Sequence, residues 1–452
     1  MKKTRETHFL IAVYAIALAV FIYQHTAGIS WDFMAYVMNG EYLFHEGHYF
    51  EWYRAPVTPL IFGIFGFLGR FFAEYGYIIL VVTLHFYSSI KLAEAFKFNK
   101  LFYYVLSLPP FALANGLAVG TELLSLTFIQ LAIVSLEKHK SSIFLSLSFL
   151  TRYNNFVFLP LLFFKKNKKQ ILVGLLTMGL FVIPWLLFNH FASGNFLTSI
   201  GDSFALNVKF RDYLTQPFNI LHLLAVSGYY LPFFLHGIYV RIKSKLNKYD
   251  VMMLFIFAAA IFSYTGVPLK TPRYLFMIII PLVYFTAYSL NKFSNKKRVL
   301  FVIMAINLVI GVSHITLVVD DKEVYTRNLN LIDNCSTFSN AWVHLNYFGI
   351  KSDSAPWESL LKYEIDKGGR VVLFKHIQEP LYPEEIVKDL PVIAENEDVI
   401  IWGNESLCSS QSEKINSTYI QKLKKVYNIA YNETFTVDAC DVIFGKKCNI
   451  NL

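Results

Sequence analysis

Nine apolar runs of span length or close to it, separated by short basic clusters, leave this chain very few ways to fold. They cover roughly 8–24, 75–96, 100–118, 121–136, 171–191, 219–240, 250–266, 274–290 and 298–318, and two further apolar segments lie at 57–72 and 141–164. About 20 apolar residues cross the hydrocarbon core of a bilayer as a helix. Backbone amides have no water to bond there, so crossing segments must be helical. Only 16% of the 452 residues are charged, against about a quarter in soluble domains. The charge is also unevenly spread. Residues 320–452 carry 20 of the 32 acids and 14 of the 41 bases, a net of −6, which leaves a net of +15 on 1–319. The expectation is a polytopic helical membrane domain over 1–319, followed by a soluble domain over 320–452. The overall +9 then reflects the basic bias of cytoplasmic loops and not a nucleic-acid surface.

The basic clusters set the topology. They are Lys97/Lys100, Lys138/Lys140, Lys165 to Lys169, Arg241 to Lys248, and Lys292 to Arg298. All lie on one side if 57–72 stays at the outer surface, as a horizontal or re-entrant helix, and 141–164 is a hairpin of two half-length helices with Arg152 at its outer tip. This arrangement gives eleven helices, a cytoplasmic N-terminus and an extracytosolic C-terminal domain. The first run follows Lys2-Lys3-Thr4-Arg5 without a small-residue cleavage site after it, so it reads as an uncleaved span. Gly63, Gly66 and Gly69 form a small-residue stripe in 57–72. That stripe suits a helix shaping a site or an ordinary packed span.

All four cysteines, Cys335, Cys408, Cys440 and Cys448, fall in the C-terminal block. Two disulfides on an oxidising face are one reading, and buried thiols are the other. The sequons at Asn404, Asn416 and Asn432 agree with an outer location.

Few charges in 1–319 lie outside the basic loops. Asp32 follows the first span, at the start of a short interfacial helix expected to end near Gly47. Glu122 opens the helix at 121–136. Arg152 sits at the hairpin tip, Lys270 and Arg273 precede a late span, and Asp202, Lys209, Arg211 and Asp212 occupy the loop 192–218. Acids and bases gathered at one membrane face suit transfer of a group from a lipid-linked phosphate. A carboxylate takes the proton of an acceptor hydroxyl. Cations, from side chains or from a divalent metal on Asp32 and Glu122, stabilise the departing phosphate. Each residue also has a plain structural role open to it. Asp32 and Glu122 suit helix caps, and the basic residues suit headgroup anchors. His45 and His48 read as surface residues before metal ligands.

The order of motifs resembles a family. An early Asp in a large outer loop is followed by the Pro-led segment Ala55-Pro56-Val57-Thr58-Pro59-Leu60 and then by an acid at a helix start. Leu150-Thr151-Arg152-Tyr153, Pro184-Trp185 and Pro272-Arg273-Tyr274-Leu275 come after it. Together these resemble the GT-C glycosyltransferases that use polyprenyl-phosphate sugars, the protein O-mannosyltransferases and lipid A aminoarabinose transferases above all, over roughly 1–320. The resemblance implies Asp32 as general base, Glu122 as a second acid that helps the base or holds a metal, and Arg152 and Arg273 at the lipid phosphate. The chain lacks the His-Pro-Pro start of the mannosyltransferase segment and the Trp-Trp-Asp signature of oligosaccharyltransferases, which leaves the acceptor open among protein, lipid and glycan. Against this enzyme reading stand a non-enzymatic transporter or lipid flippase and an assembly factor working through its soluble domain. Transporters usually carry internal repeats and midplane charges, and neither is evident.

In 320–452, strands are expected at 370–374 and 398–402, and helices from Ser354 to Lys367 and from Asn416 to Lys425. They imply a small α/β domain, doubly wound if all its strands run parallel. It has no Gly-rich nucleotide-binding motif.

Overall fold

The computed structural model describes residues 2–45, 47–208, 215–291, 295–377, 382–410 and 415–416. Among the described residues, seven helices are long and apolar enough to cross a membrane: Glu6–Ala27, Arg70–Phe96, Lys168–Ser193, Ile220–Lys243, Lys248–Thr265, Pro272–Leu290 and Arg298–Leu317. On Lys168–Ser193, Leu172, Leu176 and Leu180 point outward at a four-residue spacing, each more than half exposed. Nothing among the described residues covers this stripe, which suits contact with lipid. By contrast, 83% of the span Pro272–Leu290 is buried, so it forms the axis on which the others pack.

In chain order the helices of the membrane block are α1 (Lys2–Ala27), α2 (Trp31–Phe44), α3 (Val57–Gly66), α4 (Arg70–Phe96), α5 (Lys100–Leu106), α6 (Pro110–Asn115), α7 (Glu122–Val134), α8 (Lys140–Thr151), α9 (Lys168–Ser193), α10 (Thr198–Asn207), α11 (Ile220–Ser227), α12 (Leu231–Lys243), α13 (Lys248–Thr265), α14 (Ile279–Leu290) and α15 (Lys296–Ser313), with the short α16 (Lys322–Thr326) after it. The run 100–118, expected as one span, is two helices. Pro109 and Pro110 follow Leu108, and proline can start a helix but cannot continue one, so α6 begins at Pro110. The segment 57–72 also divides. Helix α3 ends at Gly66, and Gly69, at φ +95°, turns the chain into α4, which therefore starts before the expected residue 75. The glycine stripe has two explanations. A Cβ on Gly63 would strike Phe44 and one on Gly66 would strike His45, so these two let α3 lie close against α2. Gly69 meets nothing within 4 Å and is required by its backbone angle.

The segment 141–164 folds back on itself. Helix α8 stops where Arg152 turns extended (φ −148°, ψ 114°), and a 3₁₀ stretch follows over Tyr153–Phe164. Its far end returns to the start of α8. The Lys165 ammonium donates to the carbonyls of Leu136 and Lys138, both at 3.0 Å, and to the Ser141 hydroxyl at 2.7 Å. Asn155 likewise reaches back to Ser148.

Residues from Asp320 on build a five-stranded sheet in the order β3-β2-β4-β6-β5, with β2 (Thr337–Ser339), β3 (Ser352–Ser354), β4 (Arg370–Phe374), β5 (Val392–Glu395) and β6 (Val399–Trp402). Strands β3, β2 and β4 are parallel, while β6 runs antiparallel to both neighbours. The sheet is mixed, not the doubly wound form. A parallel connection needs a crossover, and α17 (Trp342–Tyr347) and α18 (Glu358–Asp366) supply two. Between β5 and β6 only Asn396, Glu397 and Asp398 intervene, and the Asn396 side chain accepts from the amides of Asp398 and Val399, which leaves only a hairpin. Helix α18 starts at Glu358, later than expected, because Ser354 ends β3. Cys335 is bonded to Cys408; Cys440 and Cys448 lie outside the described residues. Ile415-Asn416 pairs as a strand, β7, with β1 (Tyr49–Phe50), so Asn416 does not open a helix, and 417–425 lie outside the described residues.

The hairpin makes a sharp expectation. Cysteines placed at the exposed positions Lys138 and Lys166 should label with a membrane-impermeant maleimide from the same side. A cysteine at Ser193, at the far end of the next span, should label from the opposite side. Labelling of Lys138→Cys and Lys166→Cys from different sides would make 141–164 a crossing segment.

Candidate functional site

The site grows from the start of α2. Ser30 caps the helix by accepting from the Phe33 amide at 3.3 Å, which places Asp32 in the first turn, where a carboxylate complements the helix dipole. One turn on, Tyr36 shares the Asp32 face. One turn further, the Asn39 side chain clasps the backbone of Glu51, donating to its carbonyl at 2.9 Å and accepting from its amide at 2.8 Å. That clasp folds the loop after β1 back onto α2 and delivers Arg54 to Asp32.

Asp32 lies between two guanidinium groups. Arg54 Nη1 donates to Oδ1 at 2.8 Å, and Arg273 Nη1 donates to Oδ2 at 2.7 Å. Arg54 also donates through Nε to Glu51 and through Nη2 to the Tyr53 hydroxyl at 3.3 Å, and its guanidinium lies 4.8 Å above the Tyr36 ring. Burial pushes the Asp32 carboxyl upward, but Arg54 and Arg273 together outweigh it and hold the group well below the ordinary carboxylate range. The second acid is paired separately. Glu122 bonds Arg152 and accepts from Thr121 Oγ1 at 3.2 Å. The Tyr36 phenol, raised chiefly by burial, lies in the fields of Arg54, Asp32, Arg152 and Glu122 alike. Arg152 and Arg273 line one cavity together with Asn154, Asn155, Ser263 and Tyr274. The two acid–base clusters therefore face a common space.

Of the residues expected from the sequence, Asp32, Glu122, Arg152 and Arg273 come together. Lys270 does not. Its ammonium donates to the carbonyls of Tyr264 at 3.1 Å, Thr265 at 2.9 Å, and Val267. It closes the end of α13 (Lys248–Thr265), where carbonyls lack intrahelical partners. Asp202 is buried on α10 (Thr198–Asn207); Lys209, Arg211 and Asp212 lie outside the described residues. His45 bonds the Gly63 carbonyl at 3.2 Å and His48 the Asn346 side chain at 2.9 Å.

A divalent metal does not fit this donor set. Asp32 and Glu122 are each committed to arginine, and among the described residues no group of three or more His, Cys, Asp or Glu side chains is gathered to hold an ion. Guanidinium groups stand where a metal would neutralise the acids. The residues that pattern reading does not single out are Glu51 and Arg54. Their signal is two opposite charges three residues apart in the aromatic stretch Tyr49-Phe50-Glu51-Trp52-Tyr53-Arg54, where an unpaired charge would be costly.

No family model and no curated protein matches the sequence. Solved structures do match the fold. The structure of ArnT from Cupriavidus metallidurans bound to undecaprenyl phosphate is similar with a TM-score of 0.64 at 9% identity, covering 90% of this chain and 100% of that one. The same protein in its apo state gives 0.61 at 8% identity, covering 88% and 98%. The resemblance to the GT-C architecture therefore holds for the fold, with the multi-pass membrane block included.

Two outcomes follow from the geometry. Lys270→Met should destabilise the folded protein by about 1–2 kcal/mol, the scale of lost hydrogen bonds to charged groups, as read by thermal unfolding in detergent. It should leave the affinity for a lipid phosphate unchanged. A depressed carboxyl keeps its charge until the pH falls through its folded value. Asp32 should accordingly remain ionised at pH 4, below the usual onset of carboxylate protonation. An infrared carboxylate band missing from the Asp32→Asn variant and still present at that pH is the check.

Proposed function

We propose that this chain is a membrane glycosyltransferase that moves a sugar from a polyprenyl-phosphate-linked donor to a hydroxyl on the outer face, with inversion. The acceptor class is a protein, lipid or glycan hydroxyl. The observation that carries this reading is the Asp32 carboxylate held between Arg54 and Arg273, at a cavity that Arg152 and Arg273 line. The similar fold of a protein solved with undecaprenyl phosphate supports it.

In this reading the donor phosphate docks where Arg152 and Arg273 line a cavity that is small in the resting protein, and draws their guanidinium groups outward to its oxygens, while the lipid tail stays in the bilayer. Bidentate guanidinium groups suit that task. As Arg273 turns to the phosphate, Asp32 loses one of the two cations that depress it, and its proton affinity rises. It then takes the proton of the acceptor hydroxyl as that oxygen attacks the anomeric carbon. The bond from the anomeric carbon to the phosphate oxygen breaks on the opposite face, and the polyprenyl phosphate leaves with the electron pair, its charge held by the arginines. Glu122 keeps Arg152 aimed at the cavity. No step is routed through a metal.

The topology belongs to the same proposal. Seven long helices, the α5–α6 pair, α7 and the two halves of the 140–164 hairpin make eleven membrane elements, with the N-terminus cytoplasmic. The sheet-bearing segment after Asp320 then forms a small extracytosolic α/β domain above the cavity, suited to choosing the acceptor. Membranes holding the wild type and given radiolabelled polyprenyl-phosphate sugars should transfer label, and Asp32→Asn should lower transfer by about 10²–10⁴-fold, the range for loss of a general base. Equal transfer by both would remove Asp32 from the chemistry.

A further inference from the structure

Glu51 does not line the cavity that Arg152 and Arg273 share. Its side chain is 4% exposed, against 25% for Asp32 and 34% for Arg273 at the mouth of the site. Every polar group of the residue is nonetheless engaged. Its carboxylate accepts from the Tyr49 hydroxyl and from Arg54 Nε, and its amide and carbonyl are clasped by Asn39. The Tyr49 hydroxyl in turn accepts from Trp342 Nε1 at 3.0 Å, so the sheet-bearing segment buttresses this carboxylate from above.

The charges of the site show why an acid is kept there. Its ion pairs comprise three carboxylates, Asp32, Glu51 and Glu122, and three guanidinium groups, Arg54, Arg152 and Arg273. Among the described residues the cluster is neutral. Without Glu51 it would carry a net positive charge, and Arg54 would keep a single anionic partner with its Nε free to turn toward the cavity. Buried unpaired cations bind anions strongly, because water no longer screens them. A site of that kind would hold a lipid phosphate tightly and release it slowly.

We infer that Glu51 is a positioning residue that acts through Arg54, holding that guanidinium on Asp32 and setting the site's charge to zero so that its affinity for a polyprenyl phosphate stays low enough for release. The inference rests on the lipid-phosphate reading above and adds to it a determinant of affinity away from the cavity. It has an unusual signature, since removing a buried acid strengthens binding. Loss of a merely structural residue would weaken it.

The test uses the full chain in phosphatidylcholine nanodiscs, titrated with undecaprenyl phosphate and, separately, with undecaprenol, which lacks the phosphate. Glu51→Gln should bind undecaprenyl phosphate at least about tenfold more tightly than the wild type, the scale of one uncompensated charge at several ångströms in partly desolvated protein. Its affinity for undecaprenol should not change. Tyr49→Phe, which keeps the Glu51 charge, should shift the phosphate affinity by less than about twofold. Where the glutamine variant does not fold, Glu51→Met removes the same charge at similar length and takes its place. Wild-type binding with no gain in the uncharged variants overturns the role of Glu51 alone. Absence of undecaprenyl phosphate binding in wild type and variants overturns the lipid-phosphate reading itself.

Discussion

One carboxylate joins three distant parts of the chain. Asp32 at the start of α2, Arg54 in the loop behind it and Arg273 at the start of the buried span Pro272–Leu290 meet at 2.7–2.8 Å. Burying such charges is favourable only where their partners and remaining hydrogen bonds are all in place, and removing one partner typically costs about 3–5 kcal/mol. The surrounding packing therefore has to hold these segments in register. The Asn39 clasp, the close approach of α3 to α2 through Gly63 and Gly66, and the Arg152 turn of the hairpin all serve that registration.

The same electrostatics connects stability with the proposed chemistry. In the resting protein the arginines satisfy the acids, which keeps the cluster neutral and Asp32 ionised. Those same guanidinium groups are the natural partners of a phosphate, so a donor competes with the acids for them. In the proposed reaction, a ligand that withdraws Arg273 removes one of the two cations that depress the Asp32 carboxyl. In that proposal, the neutral cluster of pairs is the resting arrangement that an anionic donor rearranges.

Several basic side chains serve the helix ends and not the candidate site. At the basic loops the lysines and arginines act as helix caps and anchors. Lys165 closes the hairpin on α8, and Arg241 pairs with Asp250 at the start of α13. Lys270 performs the same task at the other end of that helix. It looked like a site residue because it is a cation near Arg273 in the sequence, but nearness in sequence says nothing about direction. Its ammonium turns back to the carbonyls it had just passed.

The sequence by itself determined the membrane block, the division of charge at about residue 320 and the break at Arg152, and it singled out four charged residues, Asp32, Glu122, Arg152 and Arg273, that the fold brings together. Each follows from a local rule: hydrophobic length, an apolar helix that cannot hide a charge at mid-membrane, and an acid at a helix start. The tertiary structure alone decided which acids meet which bases. It brought Glu51 and Arg54 into the candidate site and set Arg273 against Asp32. Those outcomes depend on contacts across long sequence separations, 22 residues from Asp32 to Arg54 and 241 to Arg273. No periodicity encodes such pairings. They arise because a buried charge must find a partner, and only the folded chain fixes which one is within reach.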